Sequence, residues 1–333
     1  MKQSELMSGK AASKIVLVTT GGRISTKNLG GDGVVPRMSG RDLLKEIGAL
    51  KIPPEVIEFD QIPGCEMAPD RMAGLANIVA TQAARDDVAG VVVTHGADTL
   101  AESSFFCHLT VGGDKPVVFT ESMRASSDPS WDGPANLRGA LAVAQWSRAS
   151  GLGALVVCND EIHSARFVIP THTTTLNAFQ SPTCGPLGRL YYGLPVLFVK
   201  PVLNRTVLAP KIDVRVSGIV ADSGIDPRVL EMTLDQDDLH GLVIAGFGSG
   251  RAPLLWVEPL SAAAKRGLPI VLCSRVGVGP IGDRYAIQGA DYLRRQGLIA
   301  APEMSVHKAR VKLMIALGNG LSGGSLKDYF ESE

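Results

Sequence analysis

The chain has 333 residues, 45% of them apolar, which is long enough for about two domains with substantial cores. Lys plus Arg and Asp plus Glu both number 33, and this balance argues against the broad basic footprint of a nucleic-acid binder. No run reaches the roughly 18 apolar residues of a membrane span, and the opening M-K-Q-S-E-L-M-S-G-K has no apolar core of a secretory signal, so a soluble cytoplasmic protein without a membrane partner is expected.

Short Val/Ile/Leu-rich runs alternate with helical patterns along the first half. Strands are expected at 14–19, 56–60, 90–94, 116–120, 154–159 and 196–199, and helices at 39–48, 71–86, 100–109 and 135–148. Continuous apolar strands separated by helices predict a parallel sheet covered on both faces. After Tyr192, Pro195, Pro201, Pro210 and the charged K-I-D-V-R stretch predict a linker. A second series then begins, with strands at 214–220, 241–245 and 269–273 and helices at 227–233, 253–266 and 305–317. The fold class is α/β: a larger N-terminal doubly wound domain (1–205) and a smaller C-terminal α/β domain (206–333).

The segment 91–99, V-V-V-T-H-G-A-D-T, carries most of the functional information. It predicts a buried strand ending in a polar, glycine-containing turn, where open α/β sheets place their chemistry. Thr19-Thr20-Gly21-Gly22-Arg23-Ile24 ends the first strand in the same way. Two glycines there admit a close backbone approach, or simply make a tight turn, and their amides could hold an oxyanion.

These two segments resemble the signatures T-H-G-T-D-T and T-G-G-T-I-A of the bacterial-type L-asparaginase/glutaminase family. The resemblance continues in order. Met123-Arg124 follows the third such strand as in a G-A-M-R-like turn, and Asp132–Leu137 matches D-G-P-x-N-L. Gly153–Ile162 matches a strand ending in N-D-E, and Gly185–Gly188 matches G-P-L-G. Ala245–Gly250 resembles A-G-x-G-N-G, and Ser274-Arg275-Val276 resembles S-S-R-V. The matches span about 14–317 and imply an asparaginase-like two-domain architecture in a homodimer or homotetramer.

On this resemblance Thr20 takes the place of the nucleophilic threonine and Asp98 that of the catalytic aspartate. Other positions depart from the family. Ala97 stands at the second threonine, Arg23 at the last threonine of the first signature, and Pro170 at the lysine of the Thr-Asp-Lys set. No tyrosine occurs between Thr26 and Phe59, so the family's loop tyrosine is missing. The substrate loop reads Ile62-Pro63-Gly64-Cys65-Glu66-Met67, with Gly64 and Cys65 where serine and glutamine are usual. Ser249 and Arg251 alter the A-G-x-G-N-G segment, and the neighbouring-subunit glutamate falls near Asp283-Arg284-Tyr285, where there is none.

A threonine hydroxyl is a weak nucleophile without a base, and neither alanine nor proline relays a proton. The departures imply an amidohydrolase whose substrate is a small amide or cyclic amide other than free asparagine. Gly22, Arg23, Gly64, Cys65, Glu66, Gly96 and Ala97 are the candidate substrate-binding residues. Arg23 could take a substrate carboxylate bidentately or pair with Asp98 or Glu66. Alternatives are a binding or sensor protein that kept the fold and lost catalysis, or a hydrolase using Cys65.

His163 and His172, nine apart in a stretch read as loop, could each supply a base or play a structural part. The G-F-G-S-G run lacks the spacing of a dinucleotide loop. The five cysteines form no C-x-x-C pair, and no metal or cofactor is expected.

Overall fold

The computed structural model describes residues 14–28, 33–202, 206–282 and 285–331. Its first part runs β1 (Lys14–Gly21), β2 (Thr26–Asn28), β3 (Val34–Pro36), α1 (Gly40–Glu46), β4 (Glu55–Ile62), α2 (Pro69–Ala83), β5 (Val88–Thr94), α3 (Leu100–Thr110), β6 (Val117–Thr120), α4 (Gly133–Gln145), β7 (Ala154–Cys158), β8 (Glu161–Ser164), β9 (Ile169–Pro170), β10 (Phe179–Gln180), β11 (Gly188–Tyr191) and β12 (Leu194–Leu197). The second part runs β13 (Arg215–Val220), α5 (Arg228–Leu234), β14 (Leu239–Gly246), α6 (Leu254–Lys265), β15 (Ile270–Ser274), α7 (Ala290–Arg295), β16 (Ile299–Ala300), α8 (Val306–Gly318) and α9 (Gly323–Glu331).

The large sheet has the order β12-β11-β8-β7-β6-β5-β1-β4. From β4 to β7 neighbouring strands are parallel, as the continuous apolar runs predict. Beyond β7 they are not: β8, β11 and β12 add by antiparallel pairing, so the sheet is mixed. The cause is local. Asn159-Asp160 between β7 and β8, and Tyr192-Gly193 between β11 and β12, all have positive φ. Two consecutive such residues make the tight hairpin turn whose twist matches antiparallel strands.

Alternation along the strands divides the core. Val16, Val18, Val93, Phe119 and Cys158 face α2, α3 and α8, whereas Leu17, Val92, Val118 and Val157 face α1 and α4. Ser39 starts α1 with a reciprocal capping box to Asp42. The second sheet, β13-β14-β15-β16, is parallel. One of its faces packs on α5, α6 and α7, while the other joins the core of the first domain through α8 and α9. One apolar cluster therefore crosses from the first domain into the second.

Candidate active site

The site lies at the carboxyl edge of β1 and β5, where the paired positions end at Thr19 opposite Thr94. One residue further, Thr20 is 1% exposed and its hydroxyl donates to the Thr94 carbonyl at 3.1 Å. Gly21 and Gly22 follow with φ of +94° and +76°, values that favour glycine. The Gly22 amide donates to the Ile62 carbonyl at 2.8 Å, tying this turn to the end of β4.

Three glycines meet there backbone to backbone. A Cβ on Gly22 would lie 2.4 Å from the Cα of Gly96, and one on Gly96 would lie 2.4 Å from the Cα of Gly64. A Cβ on Gly64 would lie 2.9 Å from Asp98 Oδ2. Thr99 locks the junction by donating from its hydroxyl to the Gly64 carbonyl at 2.7 Å. The fold thus gathers Thr20, Gly22, Gly64, Gly96 and Asp98 from three separate turns. Ala97, half-buried, packs against the core beside the exposed Asp98. Cys65 and Glu66 are exposed on the turn that follows Gly64.

Arg23 is exposed at this edge, and its guanidinium donates to the Met123 carbonyl at 3.0 Å. That carbonyl belongs to a turn held by Asp132, which accepts from Ser122 Oγ and from the Met123 and Arg124 amides at 2.9–3.0 Å. The D-G-P-x-N-L segment is therefore a clamp. Asn136 completes it, donating to the Glu121 carbonyl and accepting from the Asn159 amide, so it ties β6 to β7.

Two buried titratable groups at this edge escaped the sequence reading. His95 is fully buried, and burial lowers its pKa to about 4. Its Nδ1 lies 2.8 Å from the Gly96 carbonyl. A carbonyl only accepts, so Nδ1 carries the proton and Nε2 is a bare acceptor. Glu121 is also fully buried, and burial, with Asp132 adding to it against Arg23, raises its pKa to about 8. The signal for both was present: a histidine and a glutamate directly follow apolar strands.

Residues 14–201 match the model of the asparaginase N-terminal domain, and residues 215–330 that of the glutaminase/asparaginase C-terminal domain. The chain belongs to the asparaginase/glutaminase family. It is 34% identical over 327 residues to a probable L-asparaginase of Deinococcus radiodurans, covering 95% of this chain and 97% of that protein. It is 32% identical over 321 residues to L-asparaginase 2 of Escherichia coli K12, covering 92% and 89%. The crystal structure of a probable cytoplasmic L-asparaginase from Campylobacter jejuni superposes with a TM-score of 0.85 at 30% identity, covering 96% of this chain and all of that one. This is a family of amidohydrolases acting on C–N bonds other than peptide bonds.

Against that family frame, Pro170 is exposed on the short strand β9, paired with Phe179 of β10. A different lysine is buried nearby. Lys308, on α8 of the C-terminal domain, donates from Nζ to the carbonyls of Ala165, Arg166 and Val168 at 2.7, 3.2 and 2.6 Å. Burial, and the Arg166 charge beside it, pull its pKa down. Three carbonyl acceptors, however, use all three hydrogens of an ammonium, so we assign the charged form.

His163 is not in a loop. It lies buried on β8, with Nδ1 3.0 Å from Ser181 Oγ and Nε2 3.3 Å from Glu161. The turn-forming Asn159-Asp160 hid that strand. His163 and Arg189 hold the Glu161 carboxyl below the usual range. His172 is exposed and accepts from the Thr174 and Thr175 amides at 3.1 and 3.2 Å, a local turn contact.

In the C-terminal domain Arg251 stacks on Tyr285 and Arg275 on Phe247, each with its guanidinium 4.3 Å from the ring centre. Asp283 and Arg284 lie outside the described residues. Among the described residues, no group of three or more His, Cys, Asp or Glu is placed to hold a metal ion, and no helix is long and apolar enough to cross a membrane.

Proposed function

We propose that the chain hydrolyses a small amide or cyclic amide other than free asparagine, with Thr20 as nucleophile. The observation that carries this reading is the junction itself. A strand-end hydroxyl stands where three glycine turns meet, with Asp98 against one of them. In this reading Thr20 Oγ attacks the carbonyl carbon and Asp98 binds or orients the substrate. The Gly22 amide is already used on Ile62, so the oxyanion role passes to other amides of these turns, that of Ala97 among them. Ala97 and Pro170 supply no hydroxyl or amine to a proton relay, and Arg23 brings a permanent cation to the rim. Together they favour a substrate unlike asparagine, and the panel that tests this holds both charged and neutral amides.

The test is ammonia or amine release from asparagine, glutamine and a panel of small amides and lactams. The reading predicts turnover of a panel member above that of asparagine, abolished by Thr20→Ala. Turnover unchanged in Thr20→Ala overturns the nucleophile. Preference for free asparagine overturns the substrate class.

The second reading is a ligand sensor on the same fold. It is favoured by the buried Thr20 hydroxyl, whose hydrogen is directed at a backbone carbonyl and not at a base. Ligands that raise the melting temperature without being consumed would support it. We also propose that the chain works as a homodimer or homotetramer, supported by the exposed apolar side chains Tyr191, Leu194, Val196 and Phe198 at the sheet edge. Sedimentation of the purified protein tests this.

A further inference from the structure

Glu121 lies at the edge that carries Thr20, with no role in the Thr20 reaction proposed above. It directly follows β6, and its backbone carbonyl is fixed by Asn136. The side chain is fully buried, yet neither carboxyl oxygen has a hydrogen-bond partner among the described residues. Burying an unpartnered carboxyl is costly, so the position calls for an occupant or a use.

The sheet register says where that use lies. Thr19 pairs with Thr94, and Thr94 with Thr120. Thr20, His95 and Glu121 are therefore the next residues on three adjacent strands, in one row. Val18, Val93 and Phe119, two residues before them, share one face of the sheet. Alternation puts the row on that same face. Two strand spacings separate Thr20 from Glu121, about 10 Å between Cα atoms. Between them stands His95, whose Nε2 is buried and without a partner among the described residues.

We propose that Glu121, in its acid form, is the proton-carrying group of the Thr20 reaction, with His95 Nε2 as an acceptor that positions it. This rests on the Thr20 reading above. In acylation Thr20 Oγ bonds the carbonyl carbon and the C–N bond breaks. Glu121 gives its proton to the departing nitrogen and takes up the Thr20 hydroxyl proton, so an ester and a neutral amine form. In deacylation water oxygen bonds the acyl carbon and the ester C–O bond breaks. One water proton enters the carboxyl as the carboxyl proton returns to Thr20. The charged and titratable groups that act on Glu121 or feel it are Arg23 in the turn after β1, Asp132 before α4 and Cys158 at the end of β7, and His95 is its neighbour in the row. Burial and the nearby Asp132 keep the acid form at neutral pH, against the smaller pull of Arg23.

The test is Glu121→Gln beside Thr20→Ala in the full chain, with the amide panel and infrared spectra. The C=O stretch of an un-ionised carboxylic acid is expected at neutral pH, absent in Glu121→Gln and lost as pH rises. Glu121→Gln should lower kcat about 10²–10⁴-fold and remove the alkaline limb of the pH–rate profile. A structural residue would not move that limb. Absence of the infrared band, or an unchanged kcat and pH profile in Glu121→Gln, overturns the proposal. If Thr20→Ala abolishes turnover while Glu121→Gln does not slow it, only the Glu121 role falls. If Thr20→Ala leaves turnover intact, the Thr20 reading falls and the proposal with it.

Discussion

Asp98 Oδ2 stands 2.9 Å from the point where a side chain on Gly64 would begin, and the Gly96 carbonyl carbon stands 3.0 Å from it. Asp98 could swing aside, but the Gly96 backbone could not. Gly64→Ala should therefore wedge the junction open at a strain of about 1–3 kcal/mol. Turnover of the amide identified in the panel is expected to fall roughly tenfold or more, with the circular dichroism spectrum kept. Equal kcat/KM in Gly64→Ala would mean that the junction has slack and does not position the chemistry.

Lys308 adds a polar tie to the apolar cluster that the two domains share. Its ammonium serves three carbonyls of the first domain from a helix of the second, and Arg166 donates back to the Pro302 and Glu303 carbonyls. Lys308→Met keeps the side-chain volume and strands three buried acceptors, at about 1–3 kcal/mol for each group left unpaired. Urea unfolding should show a loss of at least about 3 kcal/mol. A loss under about 1 kcal/mol would remove Lys308 as a domain latch.

The parallel strands and the helices around them were legible because apolar runs and helical spacing agree with their final burial. That Thr20, Gly22, Gly96 and Asp98 gather at one edge was legible because their segments follow such strands and resemble the family's two signatures. The antiparallel edge was not: Asn159-Asp160 reads as a family motif before it reads as a turn, and β8 is too short to show a period. Lys308 was illegible for a different reason. Its role exists only once α8 packs on residues 165–168, and nothing local to 308 announces that contact. Glu121 lay in plain view after an apolar strand, but its lack of partners is a property of the packed state.

Stability should depend on pH through two buried groups. Glu121 is raised in the folded state from 4.5 to about 8, so the folded chain holds its proton longer than the unfolded chain does. Stability then falls as pH rises from 4.5 to about 8, by at most about 5 kcal/mol. His95 is lowered from 6.5 to about 4, so its contribution is present above pH 6.5 and lost as pH falls toward 4. Melting temperature measured from pH 4 to 9 should decline at both ends. Glu121→Gln should flatten the alkaline decline and steepen the acid one between pH 4.5 and 6.5, where the two groups oppose each other. An alkaline decline of the same size in Glu121→Gln would assign it to another group.

If Ala97 and Pro170 are what turn the pocket away from asparagine, restoring the family residues should bring asparagine turnover back. Both positions tolerate the change: Ala97 is half-buried at the rim, and Pro170 is exposed on a two-residue strand. Ala97→Thr adds a hydroxyl beside Asp98, and Pro170→Lys adds an amine that can serve as a base. Each alone leaves the relay broken, so the two substitutions should be non-additive, as for groups that act as a unit. The double variant is expected to raise kcat/KM for asparagine at least about tenfold over either single variant, within the range of a general-base contribution. Arg23 still occupies the rim, so Arg23→Thr added to the double variant should raise it further. If the triple variant folds and asparagine turnover stays at the parent level, the departures at 23, 97 and 170 are not what sets the substrate.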